Sequence, residues 1–188
     1  MRLFFAIQLT EQVREKLRPA LDAARRAAGE GVGFTRLEQL HFTLAFLGDT
    51  EKLDDAIAAA QGVRDLPRFE VAIGGRGAFP GLGRPRVLWL GVTEGSQQMI
   101  AVAEKLCAGL AERGFKLDGR PFRPHLTLGR VKPRGDRDAR RALEAVPLSE
   151  LARFTATEIV LMQSTLGPGG AKHETRDTIP FQAVSFRA

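Results

Sequence analysis

One cysteine, Cys107, stands in a chain of 188 residues. It has no internal partner for a disulfide, so a reducing, cytoplasmic setting is the simpler expectation. No apolar run approaches the roughly 20 residues that cross a bilayer. The apolar stretch Leu3-Phe4-Phe5-Ala6-Ile7 is too short for a secretory signal and runs into a charged helical pattern, so it reads as a first strand. Gly31-Val32-Gly33 and Gly81-Leu82-Gly83 are too short and wrongly placed for a dinucleotide fingerprint, and a Walker-type phosphate loop is missing. Carboxylates do not pair in a diagnostic spacing, and no serine sits in a nucleophile motif. Histidine is scarce, with three in the chain. Together with Cys107 they show no zinc-site spacing, and Cys107 falls among the apolar positions of a predicted helix; no metal and no cofactor are expected.

Against that background two of the three histidines fall in one four-residue frame. His41-Phe42-Thr43-Leu44 and His125-Leu126-Thr127-Leu128 each read His-x-Thr-x, one in each half of the chain. Alternate side chains of a strand share a face, so each His and Thr point the same way while Phe42, Leu44, Phe46, Leu126 and Leu128 turn toward a core. Two such strands facing each other line a cleft with two imidazoles and two hydroxyls. Histidine suits both proton donation and proton acceptance near neutral pH. Threonine hydroxyls can donate hydrogen bonds to the non-bridging oxygens of a phosphate as charge develops there. A lone strand histidine is ordinarily structural, and strand threonine ordinarily serves β propensity; the duplication favours chemistry.

The net charge is +6, from 28 Lys and Arg against 22 Asp and Glu, which favours an anionic partner, nucleic acid first. Hydrophobic patterning predicts a strand at 2–9, a helix with Glu11 in its first turn that ends near Gly29 to Gly33, and the first His-x-Thr strand at 40–47. A short helix near 51–60 and strands at 68–74 and 86–92 follow, the last two separated by a Gly/Pro/Arg loop from Gly74 to Pro85. A helix at about 96–113 precedes the second His-x-Thr strand at 125–131. The remainder is a basic helix near 136–145, a strand at 153–164, a Gly-rich turn at 167–170 and a final strand or two to 186. This order suggests a single α+β domain over 1–188. It would be bilobal, with two mainly antiparallel sheets flanked by helices, a pseudo-two-fold axis and the active-site cleft between the lobes. A monomer is the default.

Beyond the four motif residues, Arg130 reaches the cleft if its strand bulges at Gly129, as a phosphate clamp. Arg76, Arg84 and Arg86, with Phe79, form a candidate basic rim with an aromatic for base stacking; Trp89 reads as core. Phe42 is also carried as a candidate substrate contact from its place inside the motif, although alternation turns it coreward.

These residues resemble the 2H phosphoesterase superfamily, which is named for two such motifs. Within it they are most similar to the RNA 2′,3′-cyclic phosphodiesterase branch, also called the 2′–5′ RNA ligase family. The resemblance extends through Arg2–Ile7, His41–Gly48, Arg84–Gly91 and Phe122–Arg130, in order along nearly the whole chain. It implies a bilobal α+β fold and opening of a 2′,3′-cyclic phosphate at an RNA 3′ end to a 2′-phosphate. It also implies, in some members, reversible 2′–5′ joining of tRNA halves. Carried onto this chain, it makes His41 the proton donor and His125 the proton acceptor; the residues alone leave that assignment open. In Gly170-Ala171-Lys172-His173-Glu174 the family commonly carries Tyr where His173 stands, so His173 is either a substrate contact or an exposed strand residue. Two other readings stay open: a 2H enzyme acting on a small nucleotide-derived cyclic phosphate, and a non-catalytic RNA-binding module.

Overall fold

The alternation around the two histidines places Phe42, Leu44, Leu126 and Leu128 on one side of a sheet, and helices cover that side. The computed structural model describes residues 1–167 and 170–183. Its elements are β1 (Arg2–Gln8), α1 (Glu11–Ala28), β2 (Val32–Phe34), β3 (His41–Asp49), α2 (Leu53–Ala59), β4 (Phe69–Phe79), β5 (Val87–Glu94), α3 (Ser96–Glu112), β6 (Leu126–Val131), α4 (Asp136–Glu144), β7 (Glu150–Ala156), β8 (Glu158–Gly167) and β9 (Gly170–Pro180). Helix α1 starts where Thr10 accepts a hydrogen bond from the Val13 amide, 3.3 Å. Its buried stripe, Val13, Leu17, Ala20, Leu21, Ala24 and Ala28, then recurs at helical spacing.

The strands form one curled sheet in the order β7-β4-β5-β6-β3-β1-β8-β9, with β2 paired to β6. All these strand pairings are antiparallel. The order is symmetric about the β6–β3 junction, so the two expected sheets are the halves of one sheet. They are joined at a single residue pair, Phe42 opposite Leu126. The halves of the sheet are not the halves of the sequence. Strand β4 follows β3 in the chain but joins β5 and β6, while β8 and β9 come last and pair beside β1. Each lobe therefore borrows strands from the other half of the chain.

The main core lies on the helix-covered side, with Leu3, Phe5, Ile7, Phe42, Leu44, Leu126 and Leu128 among its residues. A small second cluster, Phe4, Ala6, Val160 and Met162, lies on the opposite face. β1 is thus buried on both faces, as its unbroken apolar run requires.

Three sequence expectations change. The stretch Gly74–Phe79, read as loop, continues β4, with a bulge between Ile73 and Arg76; the glycines that suggested a loop serve the bulge and a close packing contact instead. The strand expected at 153–164 is two strands that meet at Thr157. Residues near Gly33, read as the end of the first helix, form the short strand β2. The tip of the Gly-rich turn at 168–169 and the strand end beyond 183 lie outside the described residues.

Candidate active site

Phe42 opposite Leu126 is the waist of the sheet, and both side chains are fully buried. The residues on either side of each must then face away from the core. One step along the register, His41 lies across from Thr127, and Thr43 across from His125. The two strands make no further ladder pair. The two imidazoles thus occupy one diagonal of a four-residue cluster and the hydroxyls the other. Diagonal neighbours in a regular antiparallel pair are about 7–8 Å apart, a separation that admits a phosphate.

The two histidines are held alike. His41 Nδ1 lies 2.7 Å from the Gln39 carbonyl and His125 Nδ1 lies 2.7 Å from the Arg123 carbonyl. A carbonyl oxygen only accepts, so each Nδ1 carries the hydrogen and each Nε2 is left to gain or lose a proton. Their surroundings differ. His41 is half-buried against the Phe4 ring, with centroids 5.1 Å apart. Burial pushes its pKa down to about 4; His173 and Arg14 push the same way, and the Gln39 carbonyl pushes back.

Each motif strand bulges at the same place. In β3, Ala6 pairs with Thr43 and Phe5 with Ala45, leaving Leu44 extra; in β6, Trp89 pairs with Thr127 and Leu88 with Gly129, leaving Leu128 extra. The bulge reverses the alternation, so Leu44 and Ala45, and likewise Leu128 and Gly129, are all buried. The next residues, Phe46 and Arg130, emerge on the histidine side, exposed; Phe46, expected in the core by simple alternation, is instead turned out by the bulge and meets Phe4. Arg130 thus gains the cleft face under the condition the sequence set. Gly129 also lets β2 approach: a Cβ there would meet the Gly33 carbonyl at 2.9 Å.

Aromatic rings back both histidines. Phe79 meets His125 edge-on at 4.9 Å and packs on Trp89 at 5.4 Å. Trp89, expected in the core, is half-buried and pairs with Thr127, which puts it on the cleft face. Gly77 makes room for its indole, since a Cβ there would lie 2.2 Å from Cζ2. On the other half His173 lies 5.6 Å from His41 and 5.1 Å from Phe4, both edge-on. The sheet curls enough to bring β9 there, three strands away from β3. The Gln39 side-chain amide helps by donating to the Ala171 carbonyl. Burial lowers the His173 pKa as well.

Two candidates do not fit. Phe42 is fully buried and stacks on Phe154 at 6.5 Å; alternation sends it to the core, away from any substrate. Arg76 is not a basic rim residue: its guanidinium donates to the Glu144 and Val146 carbonyls at the end of α4. Arg84 and Arg86 are exposed. Sequence reasoning passed over Phe4, which touches both His41 and His173, because it sits in an unbroken apolar run. It also passed over Arg14, Arg36 and Lys172, which line a cavity beside His41. Among the described residues, no group of three or more His, Cys, Asp or Glu is placed to share a metal ion. No helix among them is long and apolar enough to cross a membrane.

Residues 10–168 match a family model described as the 2′-5′ RNA ligase superfamily. An RNA 2′,3′-cyclic phosphodiesterase of Archaeoglobus fulgidus is 34% identical over 172 residues, covering 90% of this chain and 94% of the relative. Among solved structures, the Thermus thermophilus protein TT0787 superposes with a TM-score of 0.80 at 29% identity, covering 98% of this chain and all of that one. Escherichia coli LigT in complex with 3′-AMP superposes with a TM-score of 0.74 at 29% identity, covering 96% and 97%.

Proposed function

The chain belongs to the 2′-5′ RNA ligase superfamily, and from that premise we propose that it is an RNA 2′,3′-cyclic phosphodiesterase, opening the cyclic phosphate at an RNA 3′ end to a 2′-phosphate. One observation carries this reading. On the two strands that meet at the waist, the same imidazole anchored through Nδ1, the same same-face threonine and the same bulge recur. The result is two Nε2 atoms on opposite corners of one cluster, which suits in-line displacement at phosphorus.

In the proposed reaction His125 Nε2 takes a proton from water as the water oxygen bonds to phosphorus. The P–O3′ bond breaks on the far side, and His41 Nε2 gives its proton to the departing 3′ oxygen. Thr43 and Thr127 donate hydrogen bonds to the non-bridging oxygens, and Arg130 adds its charge there. Phe79 and His173 are the aromatic contacts for the nucleotide. Acid, base and oxyanion donors all come from the chain, so the step needs no metal. With the empty-cleft pKa of His41 at about 4, this imidazole is neutral before substrate arrives. A bound phosphodiester anion favours its protonated form, so His41 takes up its proton with the substrate. With a 5′-hydroxyl in place of water the same step, with the same roles, forms a 2′–5′ linkage such as one between tRNA halves and frees the 3′-hydroxyl; in reverse the 3′-hydroxyl attacks that linkage and the roles exchange.

The test is product analysis of an oligonucleotide ending in a 2′,3′-cyclic phosphate, run with excess chelator. The 2′-phosphate is the expected product. His41→Ala and His125→Ala should each lower the rate by at least about 10²-fold. A 3′-phosphate product, or near-full activity in either variant, overturns the reading.

A further inference from the structure

A cavity of about 560 Å³ opens beside His41 on the β1–β8–β9 side. It shares Gln39, His41 and His173 with the site but does not include Thr43, His125 or Thr127, so the two-histidine reaction leaves it unused. Three cations line it: Arg14 from α1, Arg36 from the segment after β2, and Lys172 from β9. They face one carboxylate, Glu38. The Arg14 Nε and the His173 Nδ1 are buried without a hydrogen-bond partner in the protein. A buried donor left unmade is costly, and a guanidinium fork matches a phosphate in geometry and charge.

We propose that this cavity is a second phosphate site. It holds the phosphate on the 5′ side of the nucleotide whose 3′ end carries the cyclic phosphate. The inference rests on the proposed reaction, and within it on His41 as the acid. In-line displacement puts water and the departing oxygen on opposite sides of phosphorus. The departing 3′ oxygen belongs to the ribose, so the ribose lies on the side of the group that protonates it. The 5′ carbon of that ribose and the phosphate it bears are carried to the same side, where Arg14, Arg36 and Lys172 stand. Were His41 the base, the cavity would lie on the water side and the 5′ phosphate would point away from it. The site thus selects RNA chains over free nucleoside cyclic phosphates.

The test compares the affinities of adenosine 2′,5′-bisphosphate and adenosine 2′-phosphate by calorimetry at one ionic strength. The proteins are the unmodified one, Arg14→Gln and Lys172→Ala. Lys172 is exposed on β9, so its truncation leaves the packing intact even if Arg14→Gln unsettles α1. The unmodified protein should favour the bisphosphate by about tenfold, as a charge-assisted phosphate contact warrants. Each variant should lose most of that preference while its affinity for adenosine 2′-phosphate stays within a factor of about two to three. Equal affinities in the unmodified protein overturn the proposal. So does a parallel loss for both ligands in both variants, which would report bulk charge alone. The ratio is read without turnover, so a chain that hydrolyses no cyclic phosphate yet keeps the preference contradicts the reaction and not the site.

Discussion

At the residue scale, His41 and His125 make the same Nδ1 bond to a carbonyl two residues back, yet they do not sit in the same medium. His41 is wedged between Phe4 and His173, and burial there holds its pKa at about 4, below the ordinary 6.5. Between those two values the unfolded chain takes a proton that the folded chain refuses. The native state is therefore favoured above pH 6.5, and this stability is lost as pH falls toward 4, on the order of 3 kcal/mol. Urea unfolding at about pH 7 and about pH 4.5 should show a smaller acid-induced loss in His41→Gln than in the unmodified protein. Equal losses would mean that His41 is not the group refusing the proton. The same shift separates two pH profiles. The falling limb of kcat/KM, which reports the free enzyme, should lie at lower pH than that of kcat, where the bound phosphate raises the His41 pKa.

At the element scale, the site depends on two bulges and one packed indole. The single tryptophan, Trp89, lies over Gly77 and supports Phe79 against His125. Gly77→Ala should push the indole off its seat, at a cost of about 1–3 kcal/mol. Because Trp89 is the sole tryptophan, its fluorescence reports the displacement directly. A shifted emission maximum with a lower kcat is expected; an unchanged spectrum with unchanged kcat would remove Trp89 from the support of His125. Much of this level was legible in the sequence. The His-x-Thr alternation gave the face of all four polar groups, and Gly129 marked where Arg130 had to turn. The role of Trp89 was not legible, because a tryptophan in an apolar strand looks the same on either face until its register with Thr127 is known. Nor was the β4 extension, since Gly74-Gly75 marks a bulge as readily as a loop. Phe42 shows the opposite case: its alternation already turned it to the core, and its place inside the motif was the weaker guide.

At the scale of the whole molecule, the strand exchange makes the two lobes one cooperative unit around the waist at Phe42 and Leu126. Neither half of the sequence builds a lobe alone, and the cavity beside His41 is complete only with β8 and β9 beside β1. This long-range assembly is why the cavity walled by Arg14, Arg36 and Lys172 has no local sequence signature: its residues come from three separated segments. Phe42→Ala should cost about 3–5 kcal/mol and broaden or split the unfolding transition, because it empties the joint between the halves. A single sharp transition at unchanged midpoint would show that the joint lies elsewhere. The central claim is that the two histidines work on opposite sides of one phosphorus, His41 giving a proton and His125 taking one. The most direct measurement replaces the 3′ oxygen of the cyclic phosphate with sulfur, whose thiolate departs without needing a proton. His41→Ala should recover most of its lost rate on that substrate, while His125→Ala should stay impaired. Recovery by His125→Ala instead, or by neither variant, would contradict the assignment.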